Sequence, residues 1–284
     1  MKSADDADVE PMKSPRRRPR QPVSLGNLAL AAVSTVAFLL LALPVAVLVV
    51  RGIQTRGWIG SPDSSVSAAI GLSLVTTLLT SLLTLALGTP LAYVFARRQF
   101  PFKPTLSLLI ELPIVLPPVV AGLALLLAFG RRGFLGPALD LFGISVPFTT
   151  TAVILAQTFV SAPFYIRSAQ VGFQGVSPEI EDAARVDGAA GFALFWRITL
   201  PLSRRALTAG LTLSWARALG EFGATILFAG SLAGRTQTMP LLVYNILERD
   251  IDAAIWTSLI LLGLALAALA ISQRLTRRPV EPNA

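Results

Sequence analysis

The sequence predicts an all-α, polytopic membrane protein with six transmembrane helices and both termini in the cytoplasm. Three observations carry that prediction. The 284-residue chain is 54% hydrophobic and only 14% charged, with mean hydropathy +0.67, too apolar for a soluble domain. Six apolar stretches reach the roughly 20 residues a helix needs to cross about 30 Å of hydrocarbon. Lys and Arg, finally, are unequally shared between the loops on the two sides.

Residues 1–22, rich in Pro, Arg and acidic side chains, read as a disordered basic cytosolic tail that is solvated and idle. The transmembrane body then runs over 23–278, with spans near 25–50, 66–95, 105–130, 147–171, 206–230 and 253–273. The first apolar run is about twice the length of a signal-peptide h-region and no A-x-A site follows it, so it reads as a retained anchor. The second carries no charge between Asp63 and Arg97, and the sixth none between Asp252 and Arg274. Sixteen Lys and Arg fall in the N-terminal tail, the loops after spans two and four, and the C-terminus; six fall on the other side. That asymmetry puts the loop between spans four and five in the cytoplasm. The same placement argues against nucleic acid as the reason for a net charge of +8.

Two absences narrow the chemistry. There is no Cys and no His, which removes thiolate nucleophiles, Cys- or His-ligated metals, His-dependent triads and His proton relays. Lysine is limited to Lys2, Lys13 and Lys103, and none follows a glycine-rich turn, so there is no Walker A loop. If the protein's work uses ATP, another subunit binds it. No catalytic residue, metal site or cofactor is expected on this chain.

The polar loop at 177–201 is the most informative segment. Ser177 reads as an N-cap and Pro178 as the first helical residue. Glu179, Glu181 and Asp182 complement the positive end of the helix dipole, and Gly188 supplies a left-handed stop. The result is a short helix with Ile180, Ala183 and Ala184 on one side. Its spacing, with Asp182, Ala183, Ala184 and Gly188 followed by Ile198, Leu200 and Pro201, resembles the Glu-Ala-Ala-x3-Gly-x9-Ile-x-Leu-Pro signature of binding-protein-dependent ABC importer permeases. Asp182 stands where the pattern has Glu, which keeps the charge on a shorter stem. The resemblance implies that this loop, with Glu181, docks onto a cytoplasmic ATPase.

Within the spans, Arg217 and Glu221 stand four apart near the middle of the fifth. Such charges cost about 2.5–3.5 kcal/mol each on insertion scales and must face protein or water. As a pair they either line the translocation path or brace helix packing. Gly220 and Gly223 beside them remove side chains, permitting close helix contact and weakening the helix as a gate requires. In the third span Pro113, Pro117 and Pro118 force a kink or break, and such backbone belongs against protein or a cavity. Glu111 is expected to reach the cytoplasmic interface. Arg131 and Arg132, with Arg235, flank the outer mouth, to meet a binding protein, attract an anion, or stay solvated.

The blocks at 111–133, 214–230 and 234–240 resemble the molybdate and sulfate branch of the same permeases, Gly234-Arg-Thr-Gln-Thr238 being nearest to molybdate permeases. The resemblance covers about 66–271. It implies the type I ABC importer permease fold, a homodimer of permeases, a cytoplasmic ATPase dimer, an external substrate-binding protein, and a bacterial or archaeal plasma (inner) membrane. It further implies a tetrahedral oxyanion as cargo: molybdate first, tungstate close to it, sulfate or thiosulfate next. An ATP-independent secondary transporter or channel and a membrane-embedded enzyme are the rivals from other classes.

Overall fold

The computed structural model describes residues 25–55 and 64–276; the tail at 1–22 lies outside them. Every regular element among the described residues is helical, without strands. The chain divides into two units, Met1–Leu48 and Val49–Ala284. The described part of the first is most of helix α1 (Leu25–Gln54), apolar around its whole circumference and exposed along it, as a lipid-facing helix is.

The second unit is organised around α2 (Ser64–Arg97), α6 (Thr150–Gln174) and α9 (Leu200–Leu219). α2 and α6 run parallel: Thr80 meets Gln157, Thr89 meets Tyr165, and Arg97 meets Val176. α9 returns antiparallel to α6, with Ser203 bonded to Gly172 and Ser214 to Ser161. Tyr165, Ile166, Ala169 and Phe173 of α6 pack on Ala92 of α2 and Leu207 of α9. In an apolar solvent hydrophobicity gives helices little reason to associate, so interhelical hydrogen bonds and small side chains take over. α2 supplies them with a buried ladder of Ser73, Thr76, Thr77, Thr80, Ser81 and Thr84. Ser73 Oγ accepts the Met239 N–H at 2.8 Å, tying α2 to α11 (Met239–Leu247).

Among the described residues three helices are long and apolar enough to cross a membrane, over 26–54, 64–97 and 251–270, the last within α12 (Ile251–Thr276). A bent pair, α3 (Lys103–Val115) and α4 (Pro118–Phe129), makes a possible fourth. The expected third span is therefore not one rod: its halves turn by 117° at Leu116–Pro117. Pro117 and Pro118 supply no N–H to continue the ladder of α3, and Pro118 opens α4, where the missing N–H costs nothing. The expected fifth span is broken too. α9 stops at Leu219, and α10 (Gly223–Ala229) begins after a short non-helical link. α6 and α9 are less apolar than these, because polar residues such as Gln157, Arg167, Gln170, Arg204 and Arg205 dilute them.

Short α5 (Gly136–Leu141) follows α4. The short helix expected in the polar loop is α7 (Pro178–Val186), followed by α8 (Gly191–Leu194) and a π-helical turn at Phe195–Thr199. These elements gather where α2 and α6 end and α9 begins. The loops around Arg131, Phe148 and Arg235 gather at the far end of α6, about 36 Å away at 1.5 Å per residue.

Candidate functional site

Beside α7 the site is built on one carboxylate. Glu181 is 4% exposed. Its Oε1 accepts the Arg97 guanidinium at 2.6 Å and the Thr199 hydroxyl at 2.8 Å, and Arg185 stands 3.5 Å from Oε2. Arg97 also donates to the Val176 carbonyl at 3.2 Å. One side chain thus fastens α7 to the end of α2, the end of α6 and the π-helical turn that leads into α9. Glu181 is not a surface residue offered to a partner, as the sequence suggested; it is turned inward and holds the surface in place.

The face left outward is Ile180, Asp182 and Ala183, all exposed, with Ala184 half-buried. Asp182 pairs with Arg185 along the helix. Ser177 occupies the N-cap position, yet its hydroxyl donates to the Glu179 carboxylate and caps nothing. That bond holds the Glu179 carboxyl below the usual range. Pro178 opens the helix as expected. Gly188 has φ +90° with open space around its Cα, so its conformation and not crowding calls for glycine. Ile198 lies in the π-helical turn, and Leu200 and Pro201 open α9. A π turn inside a run of helix marks a place where the regular hydrogen-bond ladder has been interrupted.

The two helix breaks form a second cluster. Arg217 Nη1 lies 2.7 Å from Glu221 Oε2, so the expected pair exists. It does not sit within a continuous helix, however. Glu221, 1% exposed, stands in the link after α9, and its Oε1 accepts the Ala224 N–H of α10 at 2.8 Å. The pair bridges the break. Of the two glycines, Gly223 permits the close contact: a Cβ there would stand 2.5 Å from the Cβ of Pro118. Gly220 does not; its missing Cβ would meet only the Ala216 carbonyl, at 3.7 Å. On the facing helix a Cβ at Gly122 would lie 2.8 Å from the Ala224 carbonyl oxygen. α4 and α10 therefore cross backbone to backbone beside both breaks. Pro113 is buried within α3, whereas Pro117 and Pro118 are exposed at the bend.

At the far end Arg131, Leu126, Ser145, Pro147 and Phe148 line an open cavity of about 320 Å³. Phe148 holds φ +60°, unusual for a bulky residue, and its N–H reaches the Phe228 carbonyl at 3.4 Å. Arg235 joins this region through its carbonyl, which accepts the Thr150 hydroxyl at 2.9 Å. Arg131, Arg132 and Arg235 are all exposed.

Sequence reasoning missed four features. Glu111 has a partner on another helix: its Oε1 lies 2.9 Å from Nε of Arg167 on α6. Arg97 and Thr199 hold Glu181, though neither carries a signal beyond ending a span and sitting inside the Ile-x-Leu-Pro segment. Gly122 is legible only once its facing helix is known. The α2 hydroxyl ladder could have been found from its helical spacing within an apolar span.

A polytopic helical membrane domain, with a polar helix pinned at one end and paired helix breaks in its body, is the class these features define. The chain belongs to the family described as binding-protein-dependent transport system inner membrane component, whose sequence pattern matches residues 88–281. It is 41% identical over 246 residues to the molybdenum transport system permease protein ModB of Mycobacterium tuberculosis, covering 86% of this chain and 92% of that one. To the sulfate transport system permease protein CysW of Synechococcus elongatus it is 38% identical over 217 residues, covering 76% of each. In fold it is similar to a chain of a bacterial ABC transporter involved in import of the acidic polysaccharide alginate, with TM-score 0.69 and 17% identity, over 88% of this chain and 96% of that one. It is a multi-pass membrane protein and a transport component, not an enzyme.

Proposed function

We propose that this chain is the membrane-spanning subunit of an ATP-driven importer for molybdate, or the closely similar tungstate. The observation that carries the cargo is 41% identity, across nearly the whole length of both chains, to a molybdenum permease. Six crossings with both termini in the cytoplasm fit the charge asymmetry, if α3 with α4, α6, and α9 with α10 each complete a crossing. Two copies form the pore. A pair of ATPase subunits, holding ATP and Mg, docks on the outward face of α7, with Asp182, Ala183, Ala184 and Gly188 at the contact and Glu181 fixing it from behind. An external binding protein meets the end bearing Arg131, Arg132 and Arg235 in a bacterial inner membrane. Closure of the ATPases moves α7, and the movement passes through Arg97, Thr199 and the α9 entry to the helix breaks.

Reconstitution with its own ATPase and binding protein tests this. Molybdate and tungstate should stimulate ATP hydrolysis at lower concentration than sulfate, because larger tetrahedral anions reward a pocket with longer donor distances. Similarity to CysW supports sulfate as the second reading. Stimulation by sulfate alone would establish that reading, and stimulation by a sugar or amino acid but no oxyanion would refute both.

A further inference from the structure

Arg217 and Arg167 both stand within long helices, and their guanidinium groups are held very differently. Arg217 is committed. Its partner Glu221 is buried and already anchored by a backbone N–H, so parting them strands a buried charge. Arg167 is not. Its side chain is 51% exposed, and that of Glu111, on another helix, is 31% exposed. The pair rests on Nε at 2.9 Å, while Nη1 reaches the Gln170 amide oxygen at 3.1 Å. A half-exposed pair is easier to part than one whose carboxylate is buried.

Depth matters as much as exposure. At about 1.5 Å per residue, Glu111 lies about 12 Å into α3 and Arg167 about 10 Å before the end of α6. Both are therefore well inside the end that carries α7, amid exposed apolar neighbours Leu108, Leu112 and Val171. Charges set so in an apolar surface face protein or a water-filled path and not lipid. Glu111 also sits on α3, the half of the bent pair nearest α7, so its distance to Arg167 depends on how that half is held.

We propose that Arg167 is the cation that receives the oxyanion on the α7-side half of the path, with Glu111 as its resting counter-ion. This rests on the oxyanion-importer reading. A tetrahedral dianion brings two charges and several acceptors to a planar fork that a single carboxylate oxygen grips only through Nε. Cargo displaces Glu111, and Glu111 in turn displaces cargo, so the site binds and releases without becoming a trap.

The test uses the purified permease–ATPase complex without binding protein, and radiolabelled molybdate in equilibrium dialysis, beside uptake by the full complex in proteoliposomes. Glu111→Gln removes the competitor and should tighten molybdate binding about two- to five-fold. Arg167→Gln should weaken both binding and uptake about tenfold or more. The swap Glu111→Arg with Arg167→Glu restores an ion pair, and should restore complex yield without restoring binding. If the swap rescues uptake, or Glu111→Gln weakens binding as much as Arg167→Gln does, the pair is a packing brace and the inference falls. Normal binding and uptake in Arg167→Gln overturn it as well. Uptake missing from the unsubstituted complex overturns the oxyanion reading and this inference together, which distinguishes the two failures.

Discussion

Replacing Glu181 by Gln is the sharpest probe of how α7 is held. The amide still accepts the Thr199 hydroxyl, so little is lost there, but Arg97 is left without a counter-charge. Removing one member of a buried pair costs about 3–5 kcal/mol. Arg97 keeps 18% of its side chain exposed and retains its bond to the Val176 carbonyl, so the lower end, about 3 kcal/mol, applies. At about 1.4 kcal/mol per factor of ten, that is roughly a hundredfold rise in local opening. Hydrogen exchange of the α7 amides in the purified complex measures it directly, because slow amides report the opening equilibrium of their own segment. Asp182→Asn is the control: its carboxylate is exposed and pairs only along the helix, so protection should change by less than about threefold. Replacing Arg97 and Glu181 together by Leu should recover most of the loss, since an apolar pair leaves no buried charge. If Glu181→Gln leaves α7 protection within about threefold of the unsubstituted protein, the carboxylate is not the anchor.

Gly223→Ala should destabilise by about 1–3 kcal/mol, read as a lower Tm in detergent, because its Cβ meets Pro118 at 2.5 Å; Gly220→Ala should stay within about 0.5 kcal/mol. Equal effects at the two glycines would contradict the crossing described. Arg217→Met and Glu221→Met should each damage uptake and stability more than the two together, with a coupling of about 1–3 kcal/mol in a double-mutant cycle; additive losses would dissolve the pair. Ala184→Asp puts a charge in the proposed ATPase contact and should reduce recovery of the ATPase with the permease, while Gly188→Asn, which tolerates positive φ, should be milder than Gly188→Val. Undiminished ATPase recovery with Ala184→Asp would move the contact elsewhere.

What was legible in the sequence is what depends on local rules. Pro178, Gly188 and the acidic first turn announce α7 because caps and dipoles act within one turn. The paired prolines at 117 and 118 announce the bend for the same reason. What was hidden depends on which helices meet. Glu181 reads as one more surface carboxylate until Arg97, more than eighty residues earlier, folds against it. Glu111 and Arg167 are each isolated charges until α3 lies on α6. The fifth span reads as unbroken because hydropathy averages over the Gly220–Phe222 link, where no proline announces the stop.

The two breaks gain meaning from lying side by side. α4 begins just past the Leu116–Pro117 bend, and α10 just past the Gly220–Phe222 link. Gly122 on one and Gly223 on the other bring the backbones together, and Ala121, Leu125, Ala224 and Phe228 bury their faces in a common core with Val153 and Ala156 of α6. Contact at that distance leaves no slack for one short helix to rotate without carrying the other. Each is joined to the longer helix before it by a segment without a continuous hydrogen-bond ladder, where rotation is cheapest. Across the second joint runs the Arg217–Glu221 pair, fixed to α10 by the Ala224 N–H, so the end of α9 and the start of α10 are held by charge where the helix does not hold them. α9 opens at the π-helical turn whose Thr199 grips Glu181. A displacement of α7 thus has a covalent route along α9 to the joint, and a packed route from α10 to α4.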